Sequence, residues 1–412
     1  SGYYKKGMVL KQERYLKESN VVSETNYQID VYPYARIVKE TTILHDALDN
    51  NSIITKETEY TGYDEWGNVT EYTESINGED KIYVQIDYLQ PKKGNYLHSH
   101  PTRIVVDNEE TIGKSYSLRK REGIYNDYGE LELQRKYFDK NNDYAYIETK
   151  MFYDSYGNIQ KVTDPNGAYI RYVYDSSGQY LTDIIQGGRG VGEYTNKITW
   201  DEIRGLKSTE EDENGQVMTY DYDDFERLQK IYSPYDDING TPAVEYIYHT
   251  EQGSPWWTET KNKVSFDASN DETISTVVEI DGLGRKVRTA KFAQITDTKG
   301  NSSLGWNVSG ALEYDEKGRT IKEGQTYFST AQTPSEMVKE ELVLIRPTIT
   351  EYDELDRPIH VLLPDGSEQI TKYKIANNRQ ITESIDPLGN KTITEKDGRD
   401  NTYFIKKYLW IR

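Results

Sequence analysis

Between residues 144 and 178 apolar and polar positions alternate in short runs, and each run ends at a turn. The run 168–174 puts Ile170, Tyr172 and Tyr174 on one face and Tyr169, Arg171 and Val173 on the other, which is the two-residue period of extended chain. The turns repeat as well. Tyr153-Asp154-Ser155-Tyr156-Gly157-Asn158 returns 21 residues later as Tyr174-Asp175-Ser176-Ser177-Gly178, with Asp164-Pro165-Asn166-Gly167 midway. A fixed period of ~20 residues marks an array whose units bury apolar surface against their neighbours. The unit predicted here is one β-hairpin, with Asp accepting hydrogen bonds from turn amides and Gly supplying a positive φ.

Related turns run along most of the chain. They include Tyr63-Asp64 with Gly67, Tyr125 to Gly129, Trp200-Asp201 with Gly205, Asp212 to Gly215 and Tyr222-Asp223. Later copies are Asp281 with Gly284, Tyr314-Asp315 with Gly318, Tyr352-Asp353, and Asp386 to Asn390. Tyr63, Asp64, Gly67, Tyr153, Asp154, Gly157, Tyr174, Asp175, Gly178, Asp281, Gly284, Tyr314, Asp315, Gly318, Tyr352 and Asp353 are therefore assigned structural turn roles. Asn77-Gly78 is a hairpin signal followed by alternating Ile82, Val84, Ile86 and Tyr88.

The expected organisation is an all-β array of antiparallel hairpins, with leading hairpins over 1–60 and one continuous repeat domain over 61–412. Beyond Ser233 the period breaks, and 235–240, 253–257 and 296–305 read as longer loops or extended hairpin tips. Leu342 to Ile345 reads as a buried strand. Thr333-Pro334-Ser335-Glu336 has the form of a capping box and predicts a short helix from Pro334 to about Glu341, the alternative being a turn before that strand.

Composition sharpens this picture. Tyrosine supplies 37 of 412 residues while apolar residues make up 35%, a balance that suits sheet and excludes a large aliphatic core. The aromatic content of 12% excludes a disordered chain. A net charge of −20 without a basic patch argues against nucleic acid and anionic membranes as partners. No cysteine is present, so thiol chemistry and zinc-thiolate sites are excluded. No apolar run approaches the ~20 residues of a membrane helix. The chain opens at Ser1-Gly2-Tyr3 without Met and reads as an excised fragment.

Several stretches hold residue types that can carry chemistry. His98-Ser99-His100 offers two imidazoles but no third ligand at a recognised spacing, and it reads as a loop. The stretch 139–143 starts like a calcium loop but lacks its glycine and its bidentate acid. Gly187 to Gly192 lacks the Gly-Lys-Ser/Thr of a phosphate loop and reads as a hairpin tip. Glu210-Glu211-Asp212-Glu213 pairs carboxylates as an acid and base would, in a chain where acids abound. Trp256-Trp257 reads as a strand-end cap, or as a sugar-stacking pair. The expectation is no enzyme, no cofactor and no metal.

The recurring Tyr-Asp-x-x-Gly-Asn/Arg, with Asp-Pro-x-Gly between copies, resembles the RHS or YD-repeat family over most of residues 60–400. Asp281 to Arg285 and Tyr352 to Gly366 look most like the RHS segment of bacterial SpvB/TcB-like toxin-complex proteins. The resemblance implies a curved, spiralling sheet, part of a hollow shell that encloses and delivers a C-terminal toxin polypeptide. It also implies a secreted or surface-exposed bacterial protein, whose partners are the remaining RHS shell and the toxin cargo of the same or a partner chain. Teneurin-like relatives imply the alternative, a cell-surface recognition module binding glycan or a protein. A glycosidase on a β scaffold is a third reading. The family's cargo-releasing motif is approached only at Asp386-Pro387-Leu388-Gly389, where Asn390 replaces an apolar residue, so self-cleavage is not expected. A chain of this length is expected to form an open, curved strip and not a closed shell, its first and last hairpins leaving unpaired edges.

Overall fold

The computed structural model describes residues 8–16, 20–30, 35–46, 52–91, 97–114, 117–138, 145–252, 255–265, 272–296 and 298–409. Among these the chain forms 31 strands and one helix, Pro334–Lys339. One sheet has 23 strands and the other eight. In the first, every strand from Asn20–Asp30 to Ser302–Ser309 pairs antiparallel with the strand before it in the chain. Residue 60 lies inside the strand Ile53–Tyr63, and pairing runs unbroken past it. The array also continues past Ser233, through strands Val244–His249, Trp256–Lys263 and Thr273–Ile280.

Because consecutive strands are hairpin partners, their connections alternate between the two edges of the strip. The turns at 64–68, 126–130, 154–158, 175–180, 223–227 and 281–285, all but the last preceded by tyrosine, share one edge, and turns such as 164–167 and 212–215 lie on the other. At the tyrosine edge the ladder shifts register beside the turn, between Phe152 and Tyr153, Val173 and Tyr174, Asp221 and Tyr222, and Glu279 and Ile280. Across the Asp164 and Asp212 turns it does not. Each such irregularity bends and twists its strand, so repetition along one edge curls the strip.

The curl brings the chain back onto itself. The Ile375 amide donates to the Asp46 carboxylate at 2.7 Å. Arg399 Nε donates to Glu74 Oε1 at 3.1 Å, and its Nη2 donates to the Asp80 carbonyl. The bend accumulated over the first sheet thus brings late strands against early ones, a contact that the expectation of an open, curved strip did not include.

Pairing also gives the middle of the strip two unlike faces. Met151, Val162, Ile170, Ile184, Ile198, Met218, Ile231 and Val244 share one face by register. The other carries ion pairs such as Arg135–Glu148, Arg171–Glu193 and Lys197–Glu211. Both faces meet solvent. The accessible surface is 26253 Å², whereas a compact protein of this mass exposes about 16,000 Å².

The main covered region lies near the end of the first sheet. Trp257, Val277, Ala290, Trp306 and Val308 pack beneath Met337 and Val338 of the helix. Thr333 and Glu336 exchange both capping-box bonds. Arg288 pins the helix to the sheet, bonding Glu279 at 2.5 Å and the Val338 carbonyl at 2.6 Å. This segment is an insertion within the second sheet. The strand Thr320–Glu323 pairs with Thr348–Tyr352, while the chain between them reaches back to add Tyr327–Ser329 to the first sheet. Leu342 to Ile345, expected as a buried strand, joins no ladder and is partly exposed, because among the described residues the returning insertion is tied here only by the Gln325 amide on the Ile345 carbonyl at 2.8 Å.

Candidate functional site

The repeated turn is the most regular constellation in the structure. In the turn after Tyr153, Asp154 Oδ1 accepts the amides of Tyr156 at 2.8 Å and Asn158 at 2.9 Å, and Oδ2 accepts Asn158 Nδ2 at 3.1 Å. Asp64 is placed alike with Trp66 and Asn68. Asp281, Asp315 and Asp353 bond the residues two and four places on, and each accepts an Arg Nε at 2.7 Å, from Arg285, Arg319 and Arg357. A carboxylate with three donors around it is a strong acceptor.

Protonation follows this geometry. Arg285, then its backbone amide, holds the Asp281 carboxyl below its ordinary value. The Ser177 hydroxyl and the Tyr180 amide lower Asp175 from 3.8 to about 2.

The tyrosines belong to their neighbours' turns. Tyr153 Oη donates to the Leu131 carbonyl at 3.0 Å, where Leu131 is the first residue after the preceding turn on that edge. Tyr88 to Val69, Tyr125 to Pro101, Tyr248 to Leu228, Tyr314 to Lys286 and Tyr352 to Thr320 repeat the bond at 2.6–3.0 Å. Tyr63 makes the same kind of bond to Ile37. Trp200 substitutes its indole N–H, reaching the Leu181 carbonyl at 2.8 Å. Burial pushes the phenols of Tyr88, Tyr125, Tyr153 and Tyr248 up, which keeps them donors.

Gly67, Gly157, Gly178, Gly284 and Gly318 all have positive φ. Glu226, Asp356 and Asp400 hold the same conformation without being glycine, at φ 63° each. Sequence reading overlooked them because they break the Gly rule. The Arg that follows the glycine was part of the repeat read from the sequence, but its bond back to the turn aspartate was not.

The other candidates are absorbed by packing. His98 stacks on Trp66 at 5.0 Å, whereas His100 meets Tyr125 edge-on at 5.2 Å, so the rings serve different turns. No group of three metal ligands occurs among the described residues. Glu210 holds Lys207 at 2.6 Å and Glu211 holds Lys197 at 2.8 Å. Asp386 is an ordinary repeat turn, bonded to Leu388 and Asn390. The stretch 139–143 lies outside the described residues. Arg189 and Gly190 form the tip of a hairpin, both with positive φ. The two tryptophans part company. Trp257 is buried against His249, ring centroids 3.6 Å apart, while Trp256 lines a cavity of about 340 Å³ with Pro255, Asp281 and Leu342.

At the seam between the ends of the strip, a cavity of about 250 Å³ is bounded by Leu44 and Asp46 on one side and by Leu355, Tyr373 and Ile381 on the other. Asp46 is only 5% exposed. Sequence patterns could not have shown this contact, since its partners lie more than 300 residues apart.

Residues 153–190 match the RHS Repeat family. Almost the whole chain matches TcdB2-TccC3 with a TM-score of 0.74 at 14% identity, covering 97% of this chain and 28% of that one. TcdB2-TccC3-Cdc42 matches with a TM-score of 0.74 at 13% identity, over 97% and 30%. The Photorhabdus luminescens Tc holotoxin pore with a substituted TccC3 gives 0.72 at 13% identity, over 96% and 29%. The chain thus spans less than a third of the length of the chains it matches. No curated protein matches the sequence.

Proposed function

We propose that this chain is a wall segment of an RHS shell that encloses and delivers a toxic polypeptide. The chain carries an RHS repeat and has the fold of a segment of TcdB2-TccC3 across nearly its full length. The observation that carries the reading is the thin, wound sheet, whose exposed surface far exceeds that of a compact protein of its mass. Such a sheet serves as a container wall, and its unlike faces suit a partition between solvent and a confined chain.

On this reading residues 1–60 supply the leading hairpins of a single repeat domain continued by 61–412, and the turn residues serve architecture. The segment itself performs no catalysis. Its partners are the rest of the shell and the cargo of the same or a partner chain, in a secreted or surface-exposed bacterial protein. The test is protease protection of the complete protein that contains this segment. A polypeptide that resists digestion while the shell is intact, and is lost once the shell is denatured, supports enclosure; digestion of every other region at native conditions refutes it.

A second reading is favoured by one feature, the half-exposed Trp256 over its cavity, which offers a stacking surface for glycan. A glycan array with the Trp256→Ala variant as control decides that question.

A further inference from the structure

The two edges of the strip differ in chemistry. Two places after the turn aspartate or asparagine, the tyrosine edge of the first sheet carries Trp66, Tyr128, Tyr156, Ile203, Phe225 and Leu283, interrupted once by Ser177. Their exposure runs from 42% for Trp66 to 98% for Ile203. At the equivalent place on the opposite edge of the first sheet stand Asn166, Asn214 and Asn239, while the second sheet is mixed, with Lys317 on the tyrosine edge and Leu388 on the opposite one. Large apolar side chains at six of the seven such turns along one exposed rim of the first sheet need a reason, since a turn tip is where polar residues cost least.

The seam shows what such a rim does. The turns at 353–357 and 397–401 continue the tyrosine edge into the second sheet, because Tyr314 reaches back to Lys286 and Arg319 reaches forward to the Asp353 carbonyl. Their residues at the same position are Leu355 and Arg399. Leu355 lines the seam cavity, and Arg399 bonds Glu74 and the Asp80 carbonyl. Asp46, Glu74, Ile76 and Asp80 all lie at or beside opposite-edge turns of the first winding. Where a second winding is present, therefore, the tyrosine edge of one stacks on the opposite edge of the other, this turn position supplying Leu355 and Arg399 beside the bond of Ile375.

We infer that the row Trp66, Tyr128, Tyr156, Ile203, Phe225 and Leu283 is a docking rim for the opposite edge of another winding of the same kind of sheet. In a solution of this chain that winding is a second copy. The opposite edge has apolar groups to meet the row, since Ile112, Phe138, Ile238 and Val264 are exposed at its turns. Both surfaces are available on every copy, so the contact is heterologous, one rim to the other rim of the next molecule, and it stacks without closing. The inference stands whether or not the sheet encloses a polypeptide.

Sedimentation velocity tests it. The chain is expected to associate as its concentration rises. A rim variant, Tyr128→Ser with Phe225→Ser and Leu283→Ser, should stay monomeric, as should an opposite-edge variant, Ile112→Ser with Ile238→Ser and Val264→Ser. All six positions are surface sites, and unchanged circular dichroism verifies folding. Mixing the two variants should restore a dimer and nothing longer, because each retains one competent edge. A wild-type chain that stays monomeric at every concentration overturns the inference. So does a rim variant that associates like wild type, which would locate the contact on unpaired strand edges, or a mixture that fails to dimerise.

Discussion

The guanidinium of Arg357 lies 4.0 Å from the centroid of the Tyr373 ring, although the two residues belong to successive turns. Asp353 holds that guanidinium from one side, and Tyr373 Oη donates to Pro358, the residue after the arginine, at 3.2 Å. Arg227 with Tyr248, Arg285 with Tyr314 and Arg319 with Tyr352 repeat the arrangement at 4.2, 4.4 and 4.9 Å. Each turn is thus completed by a side chain from the next unit, which is how an array with little core keeps its units in register.

Removing single hydroxyls tests this coupling. Tyr153→Phe and Tyr248→Phe each remove one partly buried hydrogen bond and keep the ring, so each should cost about 1 kcal/mol in chemical denaturation. Tyr146→Phe, at an exposed ring away from the ladder, is the control. Equal stability of all three variants and the parent would remove the phenol bond from the account.

The turn glycines should rank by what a methyl group would meet. At Gly178 it would lie 2.4 Å from the Tyr156 ring, at Gly157 3.0 Å from Glu130 Oε1, and at Gly318 no closer than 3.7 Å to Arg285. Replacement by Ala costs about 1–2 kcal/mol for the backbone alone, so Gly318→Ala should sit at that floor and Gly178→Ala clearly above it. Conversely Glu226→Gly should leave the protein as stable or slightly more so, since Glu226 already bears the unfavourable φ. Melting temperatures in the reverse order would show that local space does not decide.

Acid should loosen the turns. Asp281, Asp212 and Asp386 have lowered folded-state values, through Arg285, the Gln216 amide and Asn390 respectively, and Asp175 falls to about 2. A depressed carboxyl adds stability above its unfolded value and loses it as pH falls through the folded one. Thermal stability from this source should therefore hold from neutrality to the ordinary aspartate value of 3.8 and drop between there and about 2. A decline already complete above pH 5 would assign acid lability to other groups.

The seam should be separable from the strip. A side chain at Gly398 would start 2.4 Å from Ile76 Cγ2, so Gly398→Val should part the windings while leaving the hairpins paired. Small-angle scattering should show a larger radius of gyration with unchanged far-ultraviolet circular dichroism. An unchanged radius would mean that the contact yields elsewhere without opening.

Much of this architecture was legible because it is local. Tyr153, Asp154 and Gly157 stand within five residues, and hydrogen bonds among such neighbours leave a pattern in the sequence that repeats with the hairpin. The capping box at Thr333 was readable for the same reason. Leu342 to Ile345 misled because apolarity does not specify a partner strand, and nothing in those four residues announces that the chain is returning from an excursion. Asp46 with Ile375 was hidden more deeply. That contact follows from a small bend summed over more than twenty strands, and no window of sequence contains the sum.

The tyrosine ladder has a mechanical consequence. Pulled apart from its two ends, the chain would load the seam first, because Arg399 and Ile375 tie the later winding to the earlier one. After that rupture the hairpins would come away one at a time. Each tyrosine that lets go of its neighbour's carbonyl frees a unit of ~20 residues, about 70 Å of extended chain. The force trace would be a row of similar teeth, and the spacing of the teeth would read the sequence repeat back as a length.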